Sequence, residues 1–259
     1  MNTREGSHMK SSLKPTLSWS NEKSRITSTR GFRLSCIAPD DNRHPQMKHR
    51  FWVFPLVFIP WLLIYEFVVY RGPSSAAFTT YLPGEWGWPI WQPMELFYVS
   101  AYILVTLAPF LAPTNRILRQ FTIAGLLSIV LGNLIFLTVP AIAPPRPFQP
   151  FGLFGRMMVT DRNLDLNNGT AAFPSFHVVW SFIGAAVFVQ RWPRIRFVFW
   201  SWATLVSASC ILTGMHSLAD VAAGFLLFVT IHNYPSICAR AKLRRQDLAD
   251  FGLRAALRL

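Results

Sequence analysis

Charge is scarce in this chain. Asp, Glu, Lys and Arg make up 14% of its 259 residues and hydrophobic residues 52%, whereas an ordinary soluble domain is roughly 25% charged. A composition this apolar excludes disorder and argues against a water-soluble domain. Acidic residues are scarcest, 12 against 25 Lys and Arg, which leaves a formal charge of +13. In a soluble protein that imbalance would point to nucleic acid. In a chain so apolar it fits basic segments beside membrane helices, and no nucleic-acid partner is expected. Cysteine is nearly missing: Cys36, Cys210 and Cys238 form no CxxC pair. A disulfide scaffold and a structural zinc site are therefore not expected. No internal repeat is visible, and no apolar run follows the first residues as a secretory signal would require.

What the chain does have is six apolar stretches, at about 51–70, 95–113, 120–140, 175–190, 195–213 and 217–234. A membrane-spanning helix needs roughly 20 apolar residues, and the fourth stretch, with 16, must draw on its flanks. The stretches are long and none alternates strictly, so they read as helices rather than strands. The expected fold is all-α, an integral membrane six-helix bundle over 51–235. A basic, mostly flexible segment over 1–50 precedes it. A basic amphipathic tail over 236–259 follows, suited to anionic membrane lipids. Pro55 and Pro60 should kink the first helix.

Twenty-one of the 25 Lys and Arg fall on one side of this topology, and only Arg71, Arg146, Arg156 and Arg162 on the other. The positive-inside rule then puts both termini in the cytoplasm. In a bacterium that means an inner-membrane protein with its outer loops in the periplasm. The outer loop 71–94 carries Tyr81, Trp86, Trp88 and Trp91 and reads as an aromatic belt or as a lid lying on the headgroups where a lipid substrate enters. The other long outer loop, 141–174, is rich in Pro, Asn and Asp and reads as irregular. Loops of this length are often functional.

Ionisable residues near the outer helix ends stand out against this background. Arg146 follows the third stretch, His177 opens the fourth, and His216 and Asp220 open the sixth. His216 and Asp220 are four apart and share a helix face. A carboxylate there can take the imidazole proton, fix the tautomer and raise the basicity of the ring. His177 is the candidate proton donor to a leaving group. Arg146 can grip phosphate oxygens in a bidentate fork. Ser175 belongs to a first helical turn, where a hydroxyl and free amides meet anions. Metal binding by the two histidines and Asp220 is the weaker alternative, because the residues are far apart and neighbours suit an anion.

These segments together resemble the type 2 phosphatidic acid phosphatase superfamily of membrane enzymes. Arg146-Pro147 matches the end of its first motif, Pro174-Ser175-Phe176-His177 its Pro-Ser-Gly-His motif, and Ser209, His216 and Asp220 the spacing of its third. The resemblance covers about 51–235. It implies His216 as the nucleophile forming a phosphohistidine, Asp220 as its orienting base and His177 as the acid that protonates the leaving oxygen. It also implies Arg146 and Ser175 as phosphate ligands, and a phosphorylated lipid as substrate. No metal or cofactor is expected, since His, Arg and helix-end dipoles supply the electrostatics.

The chain departs from the pattern at three points. Val139 stands where the family has a Lys, Cys210 where it has an Arg, and Phe176 where it has a Gly. Two phosphate-binding cations are thus replaced, and Arg156 or Arg162 are candidates to substitute for them. The wording around His177 and His216 looks closer to the branch containing inositol phosphorylceramide synthases, which pass a headgroup to an alcohol rather than to water. The expected activity is hydrolysis or transfer of a lipid-linked phosphate group. The competing reading is a non-catalytic lipid-binding or lipid-transport protein on the same scaffold.

Overall fold

Helix α1 (Met47–Val53) runs through a π turn at Phe54–Phe58 into α2 (Ile59–Arg71). This is a computed structural model, and it describes residues 41–164 and 169–234. Pro55 and Pro60 each lack an amide proton, and the widened turn is where the helix absorbs the loss. Then follow α3 (Glu95–Leu111), α4 (Asn115–Thr138), α5 (Gly152–Leu164), α6 (Phe176–Arg191), α7 (Arg196–Leu212) and α8 (Leu218–Tyr234). The described chain is mostly helical.

All six apolar stretches are helical. Four helical runs are long and apolar enough to cross a membrane: Met47–Arg71, Gln92–Leu111, Asn115–Thr138 and Pro193–Leu212. Helices α6 and α8 are apolar but shorter. Helix α6 packs against α3, α4 and α7, and Val178, Val179, Ile183, Ala185 and Val187 are all buried. A helix that is apolar on every face belongs inside a bundle. Outward faces of the bundle carry Trp52, Leu63, Phe67, Ile103, Val130 and Phe197, all exposed, as lipid contact requires.

Glycines set how closely the helices approach. A Cβ at Gly132 on α4 would fall 2.3 Å from the Phe176 ring. A Cβ at Gly224 on α8 would fall 2.6 Å from the Ser175 carbonyl oxygen. Each contact locks α6, the helix that carries His177, to a neighbour.

Two boundaries differ from the sequence reading. Of the segment expected to be mostly flexible over 1–50, the described residues 41–50 are folded. The amides of Asn115 and Arg116 donate to the carbonyls of Arg43 (2.9 Å) and Asp41 (3.0 Å). Arg50 is buried and donates to the carbonyls of Pro109 (2.9 Å) and Phe110, at the end of α3. Those terminal carbonyls have no partner within their own helix, so a polar stretch without helical periodicity is held by backbone groups that sequence does not display. The outer loop 141–174, read as irregular, contains α5 and a two-residue strand, β2 (Ala141–Ile142), parallel to β1 (Phe78–Thr79). Flanking Pro, Asn and Asp residues hid a helix of 13 residues. The amphipathic tail and most of the N-terminal segment lie outside the described residues.

Candidate active site

Helix α6 starts at Phe176, with Ser175 extended as its N-cap and no side chain bonded to its first amides. Helix α7 ends at Leu212, and the turn 213–217 leads into α8. That turn needs a glycine at 214, where φ is +73° and a Cβ would fall 2.4 Å from Ile90 Cδ1. Ser217 and Asp220 cap α8 reciprocally. The Ser217 amide donates to Asp220 Oδ2 (2.8 Å), and the Asp220 amide donates to Ser217 Oγ (3.1 Å). This is the capping-box logic with Asp in place of Glu.

The cap fixes the carboxylate beside the histidine. His216 Nδ1 lies 3.7 Å from Asp220 Oδ2, and both residues are buried. The His177 ring centroid is 5.8 Å from that of His216. Tyr98 stacks on His177 at 4.0 Å and Tyr102 meets it edge-on at 5.3 Å. His177 Nε2 is buried without a hydrogen-bond partner. The fold thus brings together His177, His216 and Asp220, which are up to 43 residues apart in sequence.

Both histidines line a cavity of about 440 Å³, within the range of ligand sites. Its walls come from the π turn (Phe58), α2 (Trp61, Tyr65), α3 (Tyr98, Tyr102, Val105), α5 (Asp161) and α6 (Phe176, Trp180). Because Nδ1 of His216 faces Asp220, its Nε2 lies on the far side of the ring, available to the cavity.

The residues expected to hold phosphate make their hydrogen bonds within the protein. Arg146 is 1% exposed. Its Nη1 donates to the carbonyls of Glu85 (3.1 Å) and Trp88 (2.8 Å), its Nη2 to that of Ile211, and its amide to Gly214 (2.9 Å). Its Nε is buried without a hydrogen-bond partner. Arg146 is a girder between two loops. Sequence could place it at the outer end of the bundle, but not show that loop carbonyls would surround it.

Arg162 does similar work. It donates to the carbonyls of Arg146 (2.8 Å) and Thr213 (2.9 Å) and lies over the Phe148 ring at 4.5 Å. Burial lowers its pKa from the usual arginine value. Arg156 is exposed on α5. Ser175 is buried, its hydroxyl 3.9 Å from Cys210 Sγ and its amide donating to the Asp220 carbonyl (3.0 Å). None of these four residues lines the cavity. What the cavity does receive is the start of α6, through Phe176 and His177, and with it the positive end of a helix.

The departures from the motif have structural counterparts. Phe176 packs into the space above Gly132 and meets Phe136 edge-on at 5.1 Å. Cys210 fills the buried position against Ser175. Val139 closes α4.

The roles of four residues were missed. Glu85 is 1% exposed, and its Oε1 accepts from the Leu218 amide (2.6 Å) while Oε2 accepts from Leu82 (3.0 Å). Ser217 Oγ donates to Thr80 Oγ1 (2.8 Å). Tyr81 donates to the carbonyls of Pro144 (3.0 Å) and Gly214 (3.3 Å), and burial raises its phenol pKa. Loop 80–88 therefore clamps the His216 turn, besides exposing Trp86 and Trp88 as a belt would. The available signal was Glu85 itself, the single acid between Glu66 and Glu95.

A helical membrane protein with two histidines and an aspartate gathered at one end, beside an aromatic cavity, has the makings of a phosphatase-type site. The family model of the PAP2 superfamily matches residues 88–234, more than half of the chain, and the chain belongs to that superfamily. Membership implies phosphatase-type chemistry on phosphorylated lipids. No curated protein and no solved structure matches the chain. The matched region takes in His177, His216 and Asp220 but leaves out Glu85, Thr80 and Tyr81.

Proposed function

We propose that this protein is a membrane enzyme that cleaves or transfers a lipid-linked phosphate group through a phosphohistidine on His216. The observation that carries this reading is the line Asp220–His216–His177, which ends in the cavity. Nε2 of His216 attacks phosphorus, the bond from phosphorus to the leaving oxygen breaks, and that oxygen takes a proton from His177. Asp220 holds the ring's orientation and offsets the charge that develops on it. His177, now neutral, then takes a proton from water or an alcohol, whose oxygen attacks phosphorus and releases His216. The first turn of α6, to which the N-cap side chain makes no bond, offers amide donors for the phosphoryl oxygens.

Water as acceptor makes the protein a phosphatase. An alcohol bound with water excluded makes it a phosphotransferase, as in the inositol phosphorylceramide synthase-like branch. The charge asymmetry supports six membrane-crossing helices with both termini in the cytoplasm and this site on the outer face, the periplasmic side in a bacterium. The test is turnover by purified protein in nanodiscs, against phosphatidic acid, phosphatidylglycerol phosphate, a polyprenyl diphosphate and phosphatidylinositol with an alcohol. Phosphate release or a new phospholipid should disappear with His216→Ala, and an acid-labile phosphoryl group should map to His216 by mass spectrometry. Turnover that survives His216→Ala refutes the mechanism.

One observation favours a second reading, a non-catalytic lipid carrier. Arg146 and Arg162 are committed to carbonyls, and Val139 and Cys210 replace two cations. Lipid exchange that is unaffected by His216→Ala, with no turnover of any lipid, would select it.

A further inference from the structure

Only one of the two histidines is held by a carboxylate. Asp220 Oδ2 stands 3.7 Å from Nδ1 of His216, and among the described residues no carboxylate pairs with His177. Nε2 of His177 is buried without a hydrogen-bond partner. A group that must hand a proton to one leaving oxygen has to be held within about 0.5 Å of its productive place. An imidazole turns on two side-chain torsions, the second of them broad. Packing, not a carboxylate, has to fix this ring.

Tyr98 is placed to do so. Its ring stacks on the imidazole of His177, with centroids 4.0 Å apart and planes 24° apart, and lies 6.4 Å from the ring of His216. The two imidazoles are 5.8 Å apart, so the three rings close a triangle in which Tyr98 neighbours both histidines. Turning the His177 ring about its Cβ–Cγ bond would drive its edge into the stacked phenol, and interiors leave no space for that. Tyr102, four residues further along the same face of α3, meets the imidazole at 5.3 Å and 76°. Tyr98 has little room of its own. It is 1% exposed, on a helix that packs against both α6 and α7. Two residues on, Ser100 Oγ accepts from Trp202 Nε1 (2.9 Å), which ties α3 to the helix that leads into the His216 turn.

We propose that Tyr98 is a positioning residue for the proposed reaction, its ring holding the His177 imidazole toward the leaving oxygen as Asp220 holds His216. This rests on the phosphohistidine reading above and adds the group that orients its acid. In the step concerned the bond from phosphorus to the leaving oxygen breaks, the electron pair stays on that oxygen, and the proton it takes comes from His177. The contribution of Tyr98 therefore scales with the need of the leaving oxygen for a proton. An alkoxide needs one, whereas p-nitrophenolate leaves as a stable anion. The ring and not the hydroxyl does this work, so phenylalanine should serve in its place.

The experiment measures kcat/KM for full-length protein in detergent on dihexanoyl phosphatidic acid and on p-nitrophenyl phosphate. That ratio reads the steps up to release of the leaving group, before water attacks. Tyr98→Leu should lose roughly a hundredfold on phosphatidic acid and less than about threefold on the aryl ester. His177→Ala should show the same contrast, and Tyr98→Leu added to it should cost no more. Tyr98→Phe should recover most of the loss. Equal losses on the two esters, no loss, or a loss that Tyr98→Phe does not recover overturns the proposal and leaves the phosphohistidine reading standing. Should Tyr98→Leu fail to fold, Tyr98→Met takes its place with the same expectations. A second measurement needs no turnover. In protein labelled with carbon-13 at histidine Cε1, the His177 signal is identified by its loss in His177→Ala. It should be single and sharp in the unaltered protein and in Tyr98→Phe, and broadened or doubled in Tyr98→Leu. If no lipid is turned over in a His216-dependent way, the phosphohistidine reading fails and this signal decides the role of Tyr98. Broadening in Tyr98→Leu upholds positioning of the ring, and a signal that stays single and sharp overturns it.

Discussion

Replacing Glu85 by alanine isolates the clamp that holds the His216 turn. The side chain makes two hydrogen bonds, to the amides of Leu218 at 2.6 Å and Leu82 at 3.0 Å. Leu218 opens α8, two residues from both His216 and Asp220, so Glu85 caps that helix from a distant loop. A bond to a charged group contributes about 1.5–3 kcal/mol net, and loss of a helix cap about 0.5–2 kcal/mol. Both amides are only partly buried, so water recovers part of each loss. The expected cost of Glu85→Ala is then about 2–3 kcal/mol. Glu85→Gln keeps one acceptor but turns an NH₂ toward the other amide, and should cost about 1–2 kcal/mol. Loosening the turn also lets the His216 ring drift from Asp220, and a displacement of about 1 Å at a reacting group can cost about a hundredfold in rate. Thermal unfolding in detergent and turnover below the variant's midpoint are the assays. Unchanged midpoint and unchanged kcat in Glu85→Ala would refute the clamp.

Gly224→Ala should lower both the unfolding midpoint and turnover, because its Cβ would meet the Ser175 carbonyl at 2.6 Å. Intrinsic propensity favours Ala in a helix by about 1 kcal/mol, so any destabilisation measured by thermal unfolding reports the clash. Gly132→Ala should destabilise by driving a Cβ into the Phe176 ring, while Phe176→Ala in the same chain should relieve most of that loss. A double-mutant cycle of unfolding free energies reads the coupling. The Arg43 guanidinium holds the Asp41 carboxyl at a pKa of about 2, and the unfolded value is about 3.9. A depressed folded pKa stabilises above the unfolded value and is lost as pH falls through the folded one. Asp41→Asn should therefore lower the midpoint slightly at neutral pH, with the difference closing between about pH 4 and pH 2. Midpoints measured across that range check it.

Apolar run length and the His–Asp spacing were legible because each is a local quantity. A long apolar run in a bilayer must pair its own backbone groups and so forms a helix, and residues four apart share a face in any helix. The folded stretch before α1, α5 in the outer loop and the roles of Glu85 and Thr80 were not legible. Each depends on backbone groups of distant segments: Arg43 on the start of α4, Arg50 on the end of α3, Glu85 on the start of α8.

Arg146 shows the same division most clearly. Its sequence neighbourhood suits a phosphate ligand, and a guanidinium serves a phosphate or a cluster of carbonyls equally well. Which of them it meets depends on where loop 80–88 passes, and that is set by the pairing of β1 with β2 and by the Tyr81 and Thr80 contacts. Composition and spacing by themselves determined a helical membrane chain with His177, His216 and Asp220 as its polar residues of interest, and its motifs carried the resemblance to the PAP2 superfamily. The tertiary structure decided that the arginines brace the site, and that carboxylates and aromatic rings line the cavity. Helix formation follows from contacts within a few residues, whereas the partners of a long polar side chain are chosen by segments that only the fold brings near.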